Sequence, residues 1–442
     1  MSINILYTDD NRKEIPMAKM IFAGAGEKMQ YLLHDQNDNT IRFVLRYPGL
    51  IDGELLSRAV LAMVRQADIL HSAFYNDALN AYWIVWERFY ESDYFQQIQV
   101  DGDPCVTARS LALQPIAADS NTQLRCYLVQ NDRESAIALI ISHLVVDGGD
   151  GKYLLSKLVE SYNTLVTTGS CDGLEIKNGN RAPEQVYEGL SPKEIASLLK
   201  VPDSSVKSAF PFPNETPGRK TMVYAGVSAE DMSAARKKAK AADATANDLL
   251  LTALYRAYGQ LPGVDAAAPA SVMSMIDLRR HCDDGQSRGL SNISGTFPTK
   301  LMDGIQGSFC QTLEQVALQT RAMKDDPLVG LDSMPLIHGA LRTVPMKLLM
   351  LVAGKIYGNF SLGLTNLGNL DCSALAMGGL IPTEGLFGGP LKKKPGMQVS
   401  AASFDGACTL VIGGEYNKED AALLQILLNT MAEEIVAYAK EN

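Results

Sequence analysis

The chain has 442 residues, 46% of them hydrophobic and 20% charged, and its 40 Lys and Arg against 50 Asp and Glu give a net charge of -10. That length exceeds one ordinary core and suits two domains, and the composition is that of a soluble globular protein. The acidic balance excludes a general attraction to nucleic acid, so an anionic ligand would need a local basic patch.

The first ten residues carry neither a basic n-region nor an apolar h-region. The apolar stretch Leu348 to Gly354 is flanked by Lys347 and Lys355 and is too short to span a bilayer. Seven scattered cysteines without C-x-x-C spacing suggest neither a zinc site nor a disulfide framework. They fit a reducing compartment, so the cytoplasm is the expected address.

Thr40 to Tyr47 alternates as a strand does, and Asp52 can cap a helix carrying Leu55, Ala59, Val60 and Met63 on one face. Ile69 to Phe74, Ala81 to Phe89 and Gln123 to Val129 read as further strands. Ala136 to Ile141 is an almost uninterrupted apolar run behind the polar Asn131 to Glu134, which predicts a buried strand entered from a turn. Then comes Ile-Ser-His-Leu-Val-Val-Asp-Gly-Gly-Asp, residues 141–150. Leu154, Leu155, Leu158, Val159, Tyr162 and Leu165 follow at helical spacing, with Asp150 as a possible N-cap. His143 therefore falls between a buried strand and a helix, where rigid elements hold a side chain that can still face a cleft. Imidazole titrates near neutrality and can take a proton from an attacking group. Gly148 and Gly149 would let the backbone turn sharply after Asp147. Taken alone, the spacing H-x-x-x-D-G recurs by chance and is better explained by a core histidine and a turn aspartate.

Between about Cys171 and Pro217 the prolines 192, 202, 211, 213 and 217 punctuate the chain, which predicts a crossover linker with some short helix. This divides the chain into an N-terminal half (1–180), a linker (181–217) and a C-terminal half (218–442). The second half begins with a strand at Thr221 to Val227, and Ser228 caps a helical region whose Arg236, Lys237, Lys238 and Lys240 read as a solvated face. A helix follows Thr245, then a strand at Ala270 to Ile276 and a helix from Cys310 to Met323. Phe360 to Leu367, Val399 to Ala402 and Cys408 to Gly413 read as strands before a final amphipathic helix through Leu424, Leu428 and Ile435. Helices and strands do not alternate regularly, and Gly24-Ala25-Gly26 lacks the third glycine of a dinucleotide fingerprint. The expected class is α+β and not a doubly wound sheet.

The His143 run resembles the H-H-x-x-x-D-G motif of the chloramphenicol acetyltransferase-like superfamily. That superfamily includes the condensation domains of peptide synthetases, the alcohol and polyketide-associated acyltransferases and the plant BAHD acyltransferases. His143 matches the family's catalytic base, Asp147 its aspartate and Gly148 its glycine, while Ser142 stands where condensation domains often have a first histidine. Asp277-Leu278-Arg279 resembles the family's Asp-Leu-Arg segment, whose arginine pairs with the motif aspartate, so the resemblance implies a structural Asp147–Arg279 pair. Gly289 to Asn292 matches a channel-lining segment. Thr365-Asn366-Leu367-Gly368 resembles the S/T-N-L-G strand beside the tunnel, and Thr365 or Asn366 could donate to an oxyanion. Thr245 to Leu250 resembles the T-x-N-D-L-L helix start, whose role is capping and packing. The D-F-G-W-G signature of the BAHD branch is absent.

The resemblance implies two acetyltransferase-like domains, each a mixed sheet packed with helices, with an active-site tunnel between them. It implies acyl transfer from a thioester to an alcohol or amine, with His143 as general base and a small-molecule acceptor. No metal or permanently bound cofactor is expected. Acyl-CoA is the expected co-substrate, with a separate acyl carrier protein as the alternative donor, and the expected state is a monomer. The run Lys392-Lys393-Lys394 could meet the phosphates of coenzyme A, or be an ordinary solvated loop. Ser142 keeps a second reading open, a non-catalytic binding or scaffolding homologue, and transfer to water is a third. Neither G-x-S-x-G nor H-E-x-x-H occurs, and Asp147 to Asp150 lacks the further ligands of a calcium loop.

Overall fold

The computed structural model describes residues 17–200, 205–282, 288–357 and 362–441. The start of the chain, Pro202 and the first two residues of the strand expected at Phe360 to Leu367 lie outside the described residues. The strands are β1 (Met17–Phe22), β2 (Thr40–Tyr47), β3 (Ser72–Asn76), β4 (Ala81–Trp86), β5 (Phe95–Gln99), β6 (Leu124–Gln130) and β7 (Ser135–Ser142). In the second half they are β8 (Arg219–Val227), β9 (Ala270–Asp277), β10 (Ser294–Leu301), β11 (Leu362–Leu370), β12 (Glu384–Gly388), β13 (Met397–Phe404) and β14 (Ala407–Tyr416).

They form two principal sheets of mixed direction and one small one, giving an α+β molecule of two lobes. The five-stranded sheet has the order β12-β2-β7-β6-β5, the six-stranded sheet β10-β9-β11-β13-β14-β8, and β1-β4-β3 form the third. β7 is buried at every position, as its continuous apolar run demands of a strand packed on both faces. β2 shows how one strand serves two layers. Its Ile41, Phe43, Leu45 and Tyr47 join the core under the helices Gly53–Gln66 and Gly148–Thr168. Val44, on the opposite face, joins Ile140, Leu386 and Val411 in a cluster that crosses from one lobe to the other. The core of the second lobe packs Val272, Leu364, Val399 and Leu410 against the helices Ala246–Gly259, Phe309–Asp325 and Lys418–Lys440.

The strongly patterned elements stand where the sequence puts them. β2 coincides with Thr40 to Tyr47, and Asp52 caps its helix by accepting the Leu55 amide at 3.0 Å. Thr245 and Asp248 form a reciprocal capping box. Three differences have local causes. The strand expected at Ile69 to Phe74 opens with a 3-10 turn, Asp68–His71, that buries Ile69 and Leu70; a short apolar run does not distinguish the two. β10 carries Pro298, which an edge strand tolerates. β12 is a short, glycine-bearing strand from the second half of the chain that pairs antiparallel with β2, Leu386 opposite Val44. A Cβ on Gly385 would lie 2.4 Å from the ring of Phe404 on β13, so glycine lets the second lobe press directly on the crossing strand.

Among the described residues no helix is long and apolar enough to cross a membrane.

Candidate functional site

His143 leaves the end of β7 with its backbone fixed. Its amide donates to the Asn39 carbonyl at 2.7 Å, and Asn39 holds the left-handed conformation (φ 46) that asparagine tolerates. The ring Nδ1 lies 2.7 Å from the Val146 carbonyl. A carbonyl only accepts, so this contact puts the proton on Nδ1 and leaves the Nε2 lone pair free. The Asn292 amide nitrogen is 3.0 Å from the same Nδ1 and 3.1 Å from the His143 carbonyl. With Nδ1 already protonated, its donation goes to the carbonyl, while its own oxygen accepts from Ser294 at 2.8 Å. Among the described residues Nε2 has no partner. Burial lowers the His143 pKa from its ordinary 6.5; the Val146 bond and Asp147 act the other way, and the charge of Lys392 pushes it further down. The ring is thus neutral at pH 7, with an unprotonated nitrogen available.

The turn that presents this ring is locked by an ion-pair network. Asp147 caps the helix Gly148–Thr168 by accepting the Asp150 amide at 3.0 Å, so the cap is Asp147 and not Asp150 as the sequence suggests. The other Asp147 oxygen accepts from Arg279 at 2.8 Å and from the Ile293 amide at 2.8 Å. Asp150 is freed for a different task. It pairs with Arg279 at 3.0 Å and with Lys177 at 3.1 Å, and accepts the Ser291 amide at 2.9 Å. Arg279 also reaches Asp277 at 3.0 Å. Burial works against the Arg279 charge, but Asp147 and Asp150 more than offset it and raise its pKa. One guanidinium from the second lobe therefore fastens the start of a helix in the first.

Gly148 and Gly149 serve this site through space and not through a special turn, which corrects the expectation for them. Both lie inside the helix with ordinary dihedrals. A Cβ on Gly149 would stand 3.2 Å from Arg279 Nη1, and one on Gly148 3.2 Å from Leu367 on β11. Thr365 and Asn366 lie just before Leu367 in the half-buried middle of β11, with Thr365 opposite Ser400 of β13. The Asn366 oxygen accepts the Gly368 amide at 3.0 Å. Among the described residues neither side chain bonds to His143.

The lysine run is not a row of solvated charges, and the physical reason is tertiary packing that local sequence does not show, above all one buried carboxylate. Lys394, 5% exposed, pairs at 2.9 Å with Asp420, which is fully buried. The Lys393 ammonium reaches the His34 carbonyl at 3.3 Å. Lys392 turns inward near Asp38, and burial lowers its pKa to about 8. The run thus lacks the open row of charges that phosphates would meet. Asp150 and Lys177 join the site although the sequence does not offer them for it: Asp150 reads as a helix cap, and Lys177 belongs to no motif. A pocket of about 150 Å³ lies elsewhere on the lobe boundary, lined by Arg109, Tyr224 and Leu386 among others.

No family model and no curated protein matches the chain. Solved structures do. Polyketide synthase associated protein 5 from Mycobacterium tuberculosis superposes with a TM-score of 0.66 at 14% identity, over 95% of this chain and 98% of that one. The condensation domain of the Monacolin K polyketide synthase gives 0.68 at 14%, over 96% and 98%. Trichothecene 15-O-acetyltransferase from Fusarium sporotrichioides gives 0.68 at 13%, over 95% and 94%. At such identities the likeness is one of fold, and it runs the length of the chain: this is the two-lobed fold of condensation domains and chloramphenicol acetyltransferase-like proteins.

Proposed function

We propose that this protein transfers an acyl group from a thioester to an alcohol or amine, with His143 as general base. The observation that carries the reading is the His143 ring. Its Nδ1 proton is held by the Val146 carbonyl, and among the described residues its Nε2 has no partner, beside Asn292 of the second half of the chain. In the proposed reaction Nε2 takes the acceptor proton as the oxygen or nitrogen attacks the thioester carbonyl. The tetrahedral intermediate then expels the thiolate, which recovers the proton from the imidazolium. Thr365 or Asn366 is the proposed donor to the oxyanion. Asp147 and Arg279 hold the base and take no proton. Asn292, offered by sequence as a lining residue, is better read as a positioning residue that clamps the His143 backbone. The fold shared with an O-acetyltransferase and with condensation domains supports this class of chemistry. Acyl-CoA is the proposed donor, a carrier-protein thioester the alternative, and the proposed path is a tunnel between the lobes reached from both sides.

The test is thiol release from a panel of acyl-CoA donors with short alcohols and amines. Wild type releases thiol in an acceptor-dependent way, and His143→Ala loses ~10²–10⁴ of the rate while keeping its melting curve. A His143→Ala variant that keeps its rate would remove the base. Absence of any turnover together with tight binding of a small molecule would favour a binding or scaffolding role, the reading that Ser142 keeps open.

A further inference from the structure

Lys392 lies on the segment that follows β12 and ties the lobes together. Its amide donates to the Gly413 carbonyl at 3.0 Å, and its carbonyl accepts from Glu415 at 2.9 Å. On its other side it forms a bridge with Asn37, and the Asp38 amide donates to Leu391 at 3.1 Å. Asn39, whose carbonyl holds the His143 amide, is two residues from Asn37, a step of at most ~7 Å. The same short stretch therefore carries Lys392 at one end and His143 at the other.

Every cation around Lys392 is already matched. Lys394 has Asp420, and Lys393 has the His34 carbonyl. Arg42 is enclosed by Asp38 and by the carbonyls of Ala112, Thr40 and Gly389. Asp38 in turn is fully used: one oxygen binds Arg42, and the other accepts the Leu391 amide at 2.9 Å and the Thr40 amide at 3.3 Å. The half-buried Lys392 ammonium, with three protons to donate, has no hydrogen-bond or ion-pair partner among the described residues. A half-buried cation without a partner is a ready site for an anion, and its charge is felt at the ring of His143.

We infer that Lys392 anchors an anionic group, of the carboxylate kind, on the substrate that reaches His143. This rests on His143 being the base for acyl transfer, and deepens that reading by naming a substrate class: one partner in the transfer carries a carboxylate. The carboxylate could belong to the acceptor or to the far end of the acyl chain, and both present the same chemistry to the ammonium. Charged and titratable groups on the surrounding elements are Asp38, Arg42, His34, His143 and Glu415, with Lys393 and Lys394 on its own segment. The ammonium loses its proton as pH passes about 8, so its hold on a carboxylate should fade there.

The experiment compares matched substrates on the full chain: succinyl-CoA against butyryl-CoA as donors, and 3-hydroxybutyrate against its methyl ester as acceptors. The readout is the ratio of kcat/KM, charged over neutral, within each pair. Taking the ratio cancels the titration of His143 itself. One of the two pairs should favour the charged member, which identifies where the carboxylate sits. In wild type that ratio should fall as pH rises through about 8. In Lys392→Met it should drop ~10–100-fold, the scale of one charge-assisted hydrogen bond. The wild-type pH series needs no variant, so it decides the matter even if Lys392→Met folds poorly. Transfer without charge preference in either pair, or a ratio flat across pH 8, overturns this inference alone. No transfer from any donor overturns the base reading and this inference with it.

Discussion

Burial holds the His143 ring neutral, and its pKa lies below the ordinary 6.5. The sign of the pH effect follows. The protonated ring cannot act as a base, and it forms only as pH falls through the lowered pKa, so the proposed transfer should survive to more acidic pH than a free histidine would allow. The acid limb of kcat/KM should have its midpoint below 6.5. Lys392→Met removes a positive charge that pushes the ring downward and should move that midpoint to higher pH; an unmoved limb would show the two groups to be uncoupled. Asn292 acts on the same residue through the backbone. Asn292→Ala should lower kcat by ~10–100-fold, the order expected when a reacting group is misplaced by about 1 Å. KM should change little, because in the proposed mechanism the amide holds His143 and does not bind substrate. Equal losses in thermal stability and activity would mark it as merely structural. At this scale the sequence supplied the histidine and its strand-end setting. The tautomer could not be read, because Asn292 is 149 residues away and Val146 meets the ring only once the turn has closed.

The helix that follows His143 is fastened at its first turn. Asp147 caps it from within, and Arg279 clamps both Asp147 and Asp150 from the other lobe. Both carboxylates are nearly free of solvent, at 5% and 2% side-chain exposure. Removing the arginine leaves buried Asp147 without a cation and Asp150 with Lys177 alone, whereas removing one aspartate leaves Arg279 its remaining partners. Arg279→Met should therefore cost ~3–5 kcal/mol, and Asp147→Asn less. The double variant should cost less than the sum, as groups in one network do. Chemical denaturation of the four proteins measures this, and additive losses would show that the side chains do not share their energy. The Asp147–Arg279 pairing was legible only by family resemblance, since nothing in either segment specifies a partner 132 residues away. The share taken by Asp150 was not legible at all, because an aspartate before a helical run already looks explained as a cap.

Across the whole molecule, the two lobes are joined by elements that each belong to both. β12 pairs with β2 of the first sheet, yet it comes from the second half of the chain and meets Phe404 of the second sheet. The cluster around Val44 runs from Ile140 to Val411 through this strand. Gly385→Ala should overpack the junction against the Phe404 ring and cost ~1–3 kcal/mol. With this much of the interior shared, calorimetry should show both lobes melting in one shifted transition. Two separated transitions would mean that the lobes unfold independently and that β12 does not couple them.

The sequence by itself determined the period-2 and helical stripes of the long elements, the helix caps at Asp52 and Ser228 and the position of His143 at a strand end, because each is encoded within a few neighbouring residues. β12 escaped it, since a five-residue strand with two glycines carries almost no pattern of its own and exists through its register with β2. The surroundings of the lysine run escape the sequence for a related reason. Three adjacent lysines look solvated until the fold supplies Asp420 to bury one of them and the neighbourhood of His143 to receive another. Local chemistry fixes which groups a segment can offer; only tertiary packing, which removes water and sets distant charges side by side, decides which of those groups become a site.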